Sequence, residues 1–165
     1  MEYLMNINVL SQDNKVFFFI ILLVSAPLQA AQSQNLEMNQ WLKARFGAQH
    51  QALIPVVAVA DMLYSCQQQK KKAEILTIKA LITQLDKNTL AEQLITCLAG
   101  ESPKSDTALN YGLKACFYEQ LDHLSLVEKQ QKMAVVIQTI ATLSRSERQK
   151  SFTQCVTDQA IHYLR

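Results

Sequence analysis

Two stretches of this chain read alike at one constant offset. ILTIKALITQLDKNTLAEQLITC (75–97) lies over MAVVIQTIATLSRSERQKSFTQC (133–155) without a gap. Ile75 falls on Met133, Ile78 on Val136, Ile82 on Ile140, Leu85 on Leu143, Leu94 on Phe152 and Cys97 on Cys155. Apolar residues recur every three or four positions, the period of a helix with one buried face, and DKN over SRS puts a turn in the same place. Ile75, Ile78, Ile82 and Leu85 form one stripe, and Met133, Val136, Ile137, Ile140 and Leu143 another. The match predicts a duplicated helical hairpin with a cysteine at the same height in each copy.

Each copy has one more cysteine upstream, at unequal spacing. Cys66 precedes Ile75 by far less than Cys116 precedes Met133. One extra turn in each arm of the second hairpin absorbs that difference, because a turn down and a turn back cancel in height. At about 1.5 Å per residue, Cys97 stands roughly 13 Å and Cys66 roughly 15 Å below the 86–88 turn. The same count puts Cys155 about 13 Å and Cys116 about 16 Å below the 144–146 turn. Level partners predict bridges 66 with 97 and 116 with 155, one of three connectivities open to four cysteines. Closing loops of this size contributes on the order of 4 kcal/mol each in the loop-entropy picture.

The remaining pattern is helical throughout. Glycine and proline number three each and mostly punctuate. Gly47 suits the end of a first helix, Pro55 the first turn of a second and Gly100 the end of another, while Gly112 falls inside a helical stretch. Ser125 with Glu128, Thr89 with Glu92 and Ser144 with Glu147 fit the reciprocal capping box. Seven helices are expected, near 35–46, 55–69, 73–86, 89–99, 106–123, 126–143 and 146–164. The fold class is all-α: a compact bundle built from two similar disulfide-stapled three-helix units, about 55–100 and 106–165, within one domain spanning 31–165.

Residues 1–30 differ from the rest. VFFFIILLVSAPL (16–28) is a nearly unbroken apolar run. It falls short of the roughly 20 residues that span a bilayer. Leu28, Gln29 and Ala30 then read as a cleavage-like site. A cleaved secretory signal is expected, with translation from Met1 or Met5, hence export to a bacterial periplasm or the medium and no stable membrane span afterwards. Loss of Lys15, Glu2 and Asp13 with that segment leaves 15 basic and 12 acidic side chains, too mild a balance for a nucleic-acid binder. An even cysteine count in an exported chain favours disulfides.

Chemistry-bearing motifs are absent. The cysteines lack C-x2-C spacing for zinc or redox work, and His50, His123 and His162 form no i, i+4 pair. There is no Walker loop, G-x-G-x-x-G or G-x-S-x-G. No catalytic residue, metal or cofactor is expected. The most apolar helix, IPVVAVADMLYSC (54–66), places Asp61 and Tyr64 on one face, and Lys70, Lys71 and Lys72 follow directly. These five are the candidate lining of a binding groove. Three functions compete: a non-catalytic binding or adaptor module for another exported or envelope protein, a carrier of a hydrophobic ligand or lipid, and an enzyme with an unrecognised site. A carrier should enclose a sizeable apolar cavity, an adaptor should show a filled core and an exposed groove or patch, and an enzyme should gather carboxylates and histidines in a cleft.

Overall fold

The computed structural model describes residues 28–164, all helix and connecting loop. The expected signal segment falls almost wholly on residues 1–27, outside the described part. Six helices follow in order: α1 Leu28–Gln69, α2 Ile78–Gln84, α3 Lys87–Leu98, α4 Asp106–Gln120, α5 Leu126–Thr142 and α6 Arg145–His162. None of the described helices is long and apolar enough to cross a membrane. Two units are distinguished, Met1–Arg45 and Phe46–Arg165. In the first, the Arg45 guanidinium lies 5.5 Å from the centre of the Trp41 ring.

The expected seven helices become six among the described residues because α1 runs through both Gly47 and Pro55. Gly47 keeps a helical backbone, at a propensity cost of about 1 kcal/mol that a long helix tolerates. Pro55 removes the hydrogen bond to the Gln51 carbonyl, and both residues are exposed, so the freed carbonyl is on the solvent side. The helix expected at 73–86 shrinks to α2, because Thr77 adopts an extended backbone and accepts the Ala80 N–H at 3.1 Å, starting the helix there. The two expected three-helix units are therefore not alike, because α2 has 7 residues against 17 in α5.

The corners nevertheless coincide. α2 ends at Gln84 and α5 at Thr142, and α3 starts at Lys87 and α6 at Arg145, each pair separated by the offset of the sequence match. Leu85 and Leu143 are both extended between the helices. Ser125 with Glu128 and Ser144 with Glu147 form full capping boxes. Thr89 does not: Asp86 caps α3 by accepting the Asn88 and Thr89 N–H groups at 3.0 Å, which leaves Thr89 inside the helix. α3 ends where Ala99 and Gly100 turn left-handed, with φ of 52° and 97°.

Cys66 is bonded to Cys97 and Cys116 to Cys155, with Cα atoms 6.2 Å apart in both, and no cysteine of the described residues is free. The helical height count points to this connectivity. The α1 segment from Val56 to Gln67 forms the centre, with Val57, Ala60, Asp61, Leu63 and Cys66 fully buried against Leu81, Leu90, Leu94 and Leu113. α4 packs against α5 and, closely, against α6. There the Phe152 ring covers Gly112, which explains a glycine in mid-helix.

Candidate functional site

Asp61 is 0% exposed and faces away from solvent. Its Oδ1 accepts Gln159 Nε2–H at 3.2 Å, while Oδ2 has no partner. Burial pushes its carboxyl well above the ordinary range; the Gln159 bond pulls it down and nearby Glu119 adds to the rise. The same Gln159 touches the second disulfide. Its Oε1 lies 2.9 Å from Cys116 Sγ, a sulfur with no proton to give, so this is a close S···O contact. On the other side, Gln120 Nε2 donates to Cys155 Sγ at 3.2 Å. Asp61 therefore belongs to an interior polar link between α1, α6 and the 116–155 bridge.

The lysines divide differently. Lys70 donates from Nζ to the Cys97 carbonyl, so it closes the C-terminal end of α3, where the helix dipole favours a cation. Lys71 takes a left-handed turn with φ of 49°, and Lys72 is exposed. Of the five expected groove residues, Tyr64 is the one that lines a cleft with α4 and α5.

That cleft, of about 270 Å³, runs between α1, α4 and α5. Tyr64, Tyr111 and Tyr118 form its aromatic wall, and Met133 and Ile137 of α5 its apolar one. Gln68, Gln69 and Lys114 supply donors. The Tyr64 and Tyr118 rings are tilted by 34° with centroids 5.9 Å apart, within the range of favourable aromatic pairs. Burial, then Tyr118, Glu119 and Asp122, pushes the Tyr64 hydroxyl up to about 12. Behind the groove the Lys129 ammonium sits 3.4 Å from the Tyr118 ring centre and 3.0 Å from Asp122 Oδ1, a cation held by a ring face and a carboxylate at once.

α5 continues the surface beside the groove. At about 100° per residue, Val136, Lys129, Ile140 and Met133 form the arc turned to the bundle. Leu126, Ile137, Ala141, Ala134 and Val127 extend that arc onto the exposed side, interrupted by Gln130. Leu126 is 69%, Val127 64% and Ile137 46% exposed. The whole arc is thus more than twice as wide as its buried and half-buried part. Period alone assigns Met133, Val136, Ile137, Ile140 and Leu143 to one stripe. Ile140 is buried and Met133, Val136 and Leu143 are half-buried, but Ile137 faces outward.

A second cleft, of about 380 Å³, gathers Lys79, Glu119, His123, Asp158, His162 and Tyr163. Its carboxylates are engaged. Tyr163 Oη donates to Glu119 Oε1 at 2.7 Å, and Gln154 Nε2 donates to both Asp158 oxygens at 2.9 and 3.0 Å. Burial and the Glu119 bond raise the Tyr163 hydroxyl. His123 Nδ1 is 3.0 Å from the Gln120 carbonyl, while His50 ties α1 to α6 through the Thr157 carbonyl at 2.8 Å. Among the described residues no group of three or more His, Cys, Asp or Glu side chains is arranged to hold a metal ion.

The sequence matches no protein-family model and no curated protein, and the fold matches no solved structure. The surface itself carries the functional reading.

Proposed function

We propose that this chain is a small exported, non-catalytic binding module that receives a protein partner on the exposed side of α5 and the adjoining tyrosine groove. The observation that carries this reading is the width of the α5 apolar sector. Leu126, Val127, Ala134, Ile137 and Ala141 prolong the buried stripe onto a face that lacks charge, is interrupted by Gln130 and is flanked by Gln131 and Gln138. Contiguous exposed apolar surface beside a groove is the usual form of a helix-presenting interface. Two disulfides fit an oxidising compartment, and hence export. Two stapled corners at one offset support an origin by duplication, with the second copy's longer middle helix supplying the binding face.

The tyrosine groove and the 380 Å³ cleft are open and are bounded by glutamines, lysines and tyrosine hydroxyls. That favours a binding module over a lipid carrier, which needs an enclosed apolar space. The test is affinity capture with the full chain, disulfides intact, from the exported fraction of the cells that make it. A partner held by the native protein and lost with the double variant Val127→Asp, Ile137→Asp supports the reading. Equal capture by both sinks it.

A further inference from the structure

We infer that the tyrosine groove takes an acidic peptide segment in the polyproline conformation, with apolar side chains three residues apart on Tyr111 and Tyr118 and a carboxylate from between them on Lys114. The inference rests on the binding-module reading and names the partner's chemistry.

Charge is the first argument. The groove lining carries an ammonium, amides and tyrosine hydroxyls, and no carboxylate. Of the acidic groups near that end, Asp122 is paired with Lys129 at 3.0 Å, and Glu119 keeps its charge but lies outside the lining, where it accepts from Tyr163 Oη at 2.7 Å. Lys114 is half-buried among the tyrosines and forms no ion pair among the described residues. A partly desolvated cation without a counter-charge gains most from an incoming anion.

Spacing is the second. Tyr111 and Tyr118 stand two turns apart on one face of α4, about 10.5 Å along the axis. Three residues of polyproline chain make one turn and advance about 9 Å. In that conformation side chains i and i+3 point the same way and meet successive ring faces, and Lys114, one turn from either tyrosine, takes one of the two residues between. Proline suits the stacking positions because it is already extended and loses little entropy on docking. Across the groove, the Gln68 and Gln69 amides can donate to the carbonyls of a segment that has no internal hydrogen bonds.

Volume is the third. The groove holds about 270 Å³. Pockets that enclose drug-sized molecules start at roughly 300 Å³. This smaller, open space accommodates two or three side chains of a longer chain.

The experiment measures fluorescence anisotropy of the oxidised full chain with three labelled dodecapeptides, identical except for a central Pro-Glu-Ala-Pro, Pro-Gln-Ala-Pro or Pro-Lys-Ala-Pro. The glutamate peptide should bind at least about tenfold more tightly than the other two. Lys114→Glu should reverse the order, favouring the lysine peptide, with an unchanged thermal transition as the control for folding. Tyr118→Phe, which keeps the ring, should retain binding, and Tyr111→Ala should weaken it. Equal binding of the three peptides, no binding by the native protein, undiminished binding by Tyr111→Ala, or an unchanged order in Lys114→Glu overturns the inference. If that happens while the α5 variants still abolish partner capture, the groove assignment alone falls; if capture is also indifferent to α5, the binding module falls with it.

Discussion

The ring of Phe152 stands where a side chain on Gly112 would begin: a Cβ built there runs into the ring tip and lies 2.7 and 2.9 Å from the two neighbouring ring carbons. α4 and α6 are close because this one position has no side chain. Gly112→Ala should therefore destabilise the protein by about 1 to 3 kcal/mol despite alanine's better helix propensity. Urea unfolding checks this, and Phe152→Leu in the same chain should recover part of the loss. A stabilised Gly112→Ala protein would mean that the two helices separate more freely than the packing shows.

The two disulfides should differ in cost. Removing either pair as Cys→Ala should cost several kcal/mol, on the order of 4 by loop entropy. The 116–155 bridge also touches Gln159 and Gln120, and Gln159 in turn donates to Asp61 Oδ1. Cys116→Ala with Cys155→Ala should therefore be the more damaging pair. Denaturation of the two double variants side by side decides it; a costlier 66–97 loss would detach the Asp61 link from the bridge.

Asp61 gives stability an unusual pH slope. Its folded carboxyl titrates above its unfolded value, so the folded state holds the proton more tightly. That contribution is complete below the unfolded carboxylate range and is lost as pH rises toward the folded value. Asp86, Glu128 and Glu147 act in the opposite sense. Bonds to Thr89, Ser125 and Ser144 hold them low, so their help is present above the usual range and lost as pH falls. Asp61→Asn keeps an acceptor for Gln159 and should make the protein more stable than native at neutral and alkaline pH, with little difference in acid. Thermal unfolding from pH 3 to 9 measures the slope. Parallel curves for native and variant would show that Asp61 ionises without penalty.

Lys70 and its neighbours separate a structural cation from solvated ones. Lys70→Ala should cost on the order of 1 kcal/mol through the lost α3 cap, while Lys71→Ala and Lys72→Ala should be close to neutral. Hydrogen exchange at the end of α3 is the sensitive readout. Equal effects at all three positions would contradict the cap.

The parts legible in the sequence were those written in local pattern. Two of three capping boxes mark helix starts, the constant offset between the two hairpins recurs in helix ends, and helical heights select the disulfide partners. Gly47 and Pro55 misled because breakers act through local cost, and α1 absorbs both. Thr77 set the start of α2 through a weaker signal than the stripe from Ile75. The groove was half visible. Tyr64 was readable from the apolar helix, but its partners Tyr111, Lys114 and Tyr118 come from α4, and only packing brings the helices together. Their i, i+3 and i+7 spacing was a signal available in the sequence, as was the excess width of the α5 apolar arc. Asp61 looked like a groove residue because helical phase places it beside Tyr64; phase does not tell that α6 covers one and leaves the other at an edge.

The most direct measurement is a walk of single photo-crosslinking residues along α5 in the full chain with both disulfides formed. Positions 127, 134 and 141 lie on the exposed apolar arc, and 128, 132 and 139 on the polar side. Adducts of one discrete size from the first three, and none from the other three, are the result expected of an interface built on α5. Adducts from the polar side only, or from neither set, would contradict it.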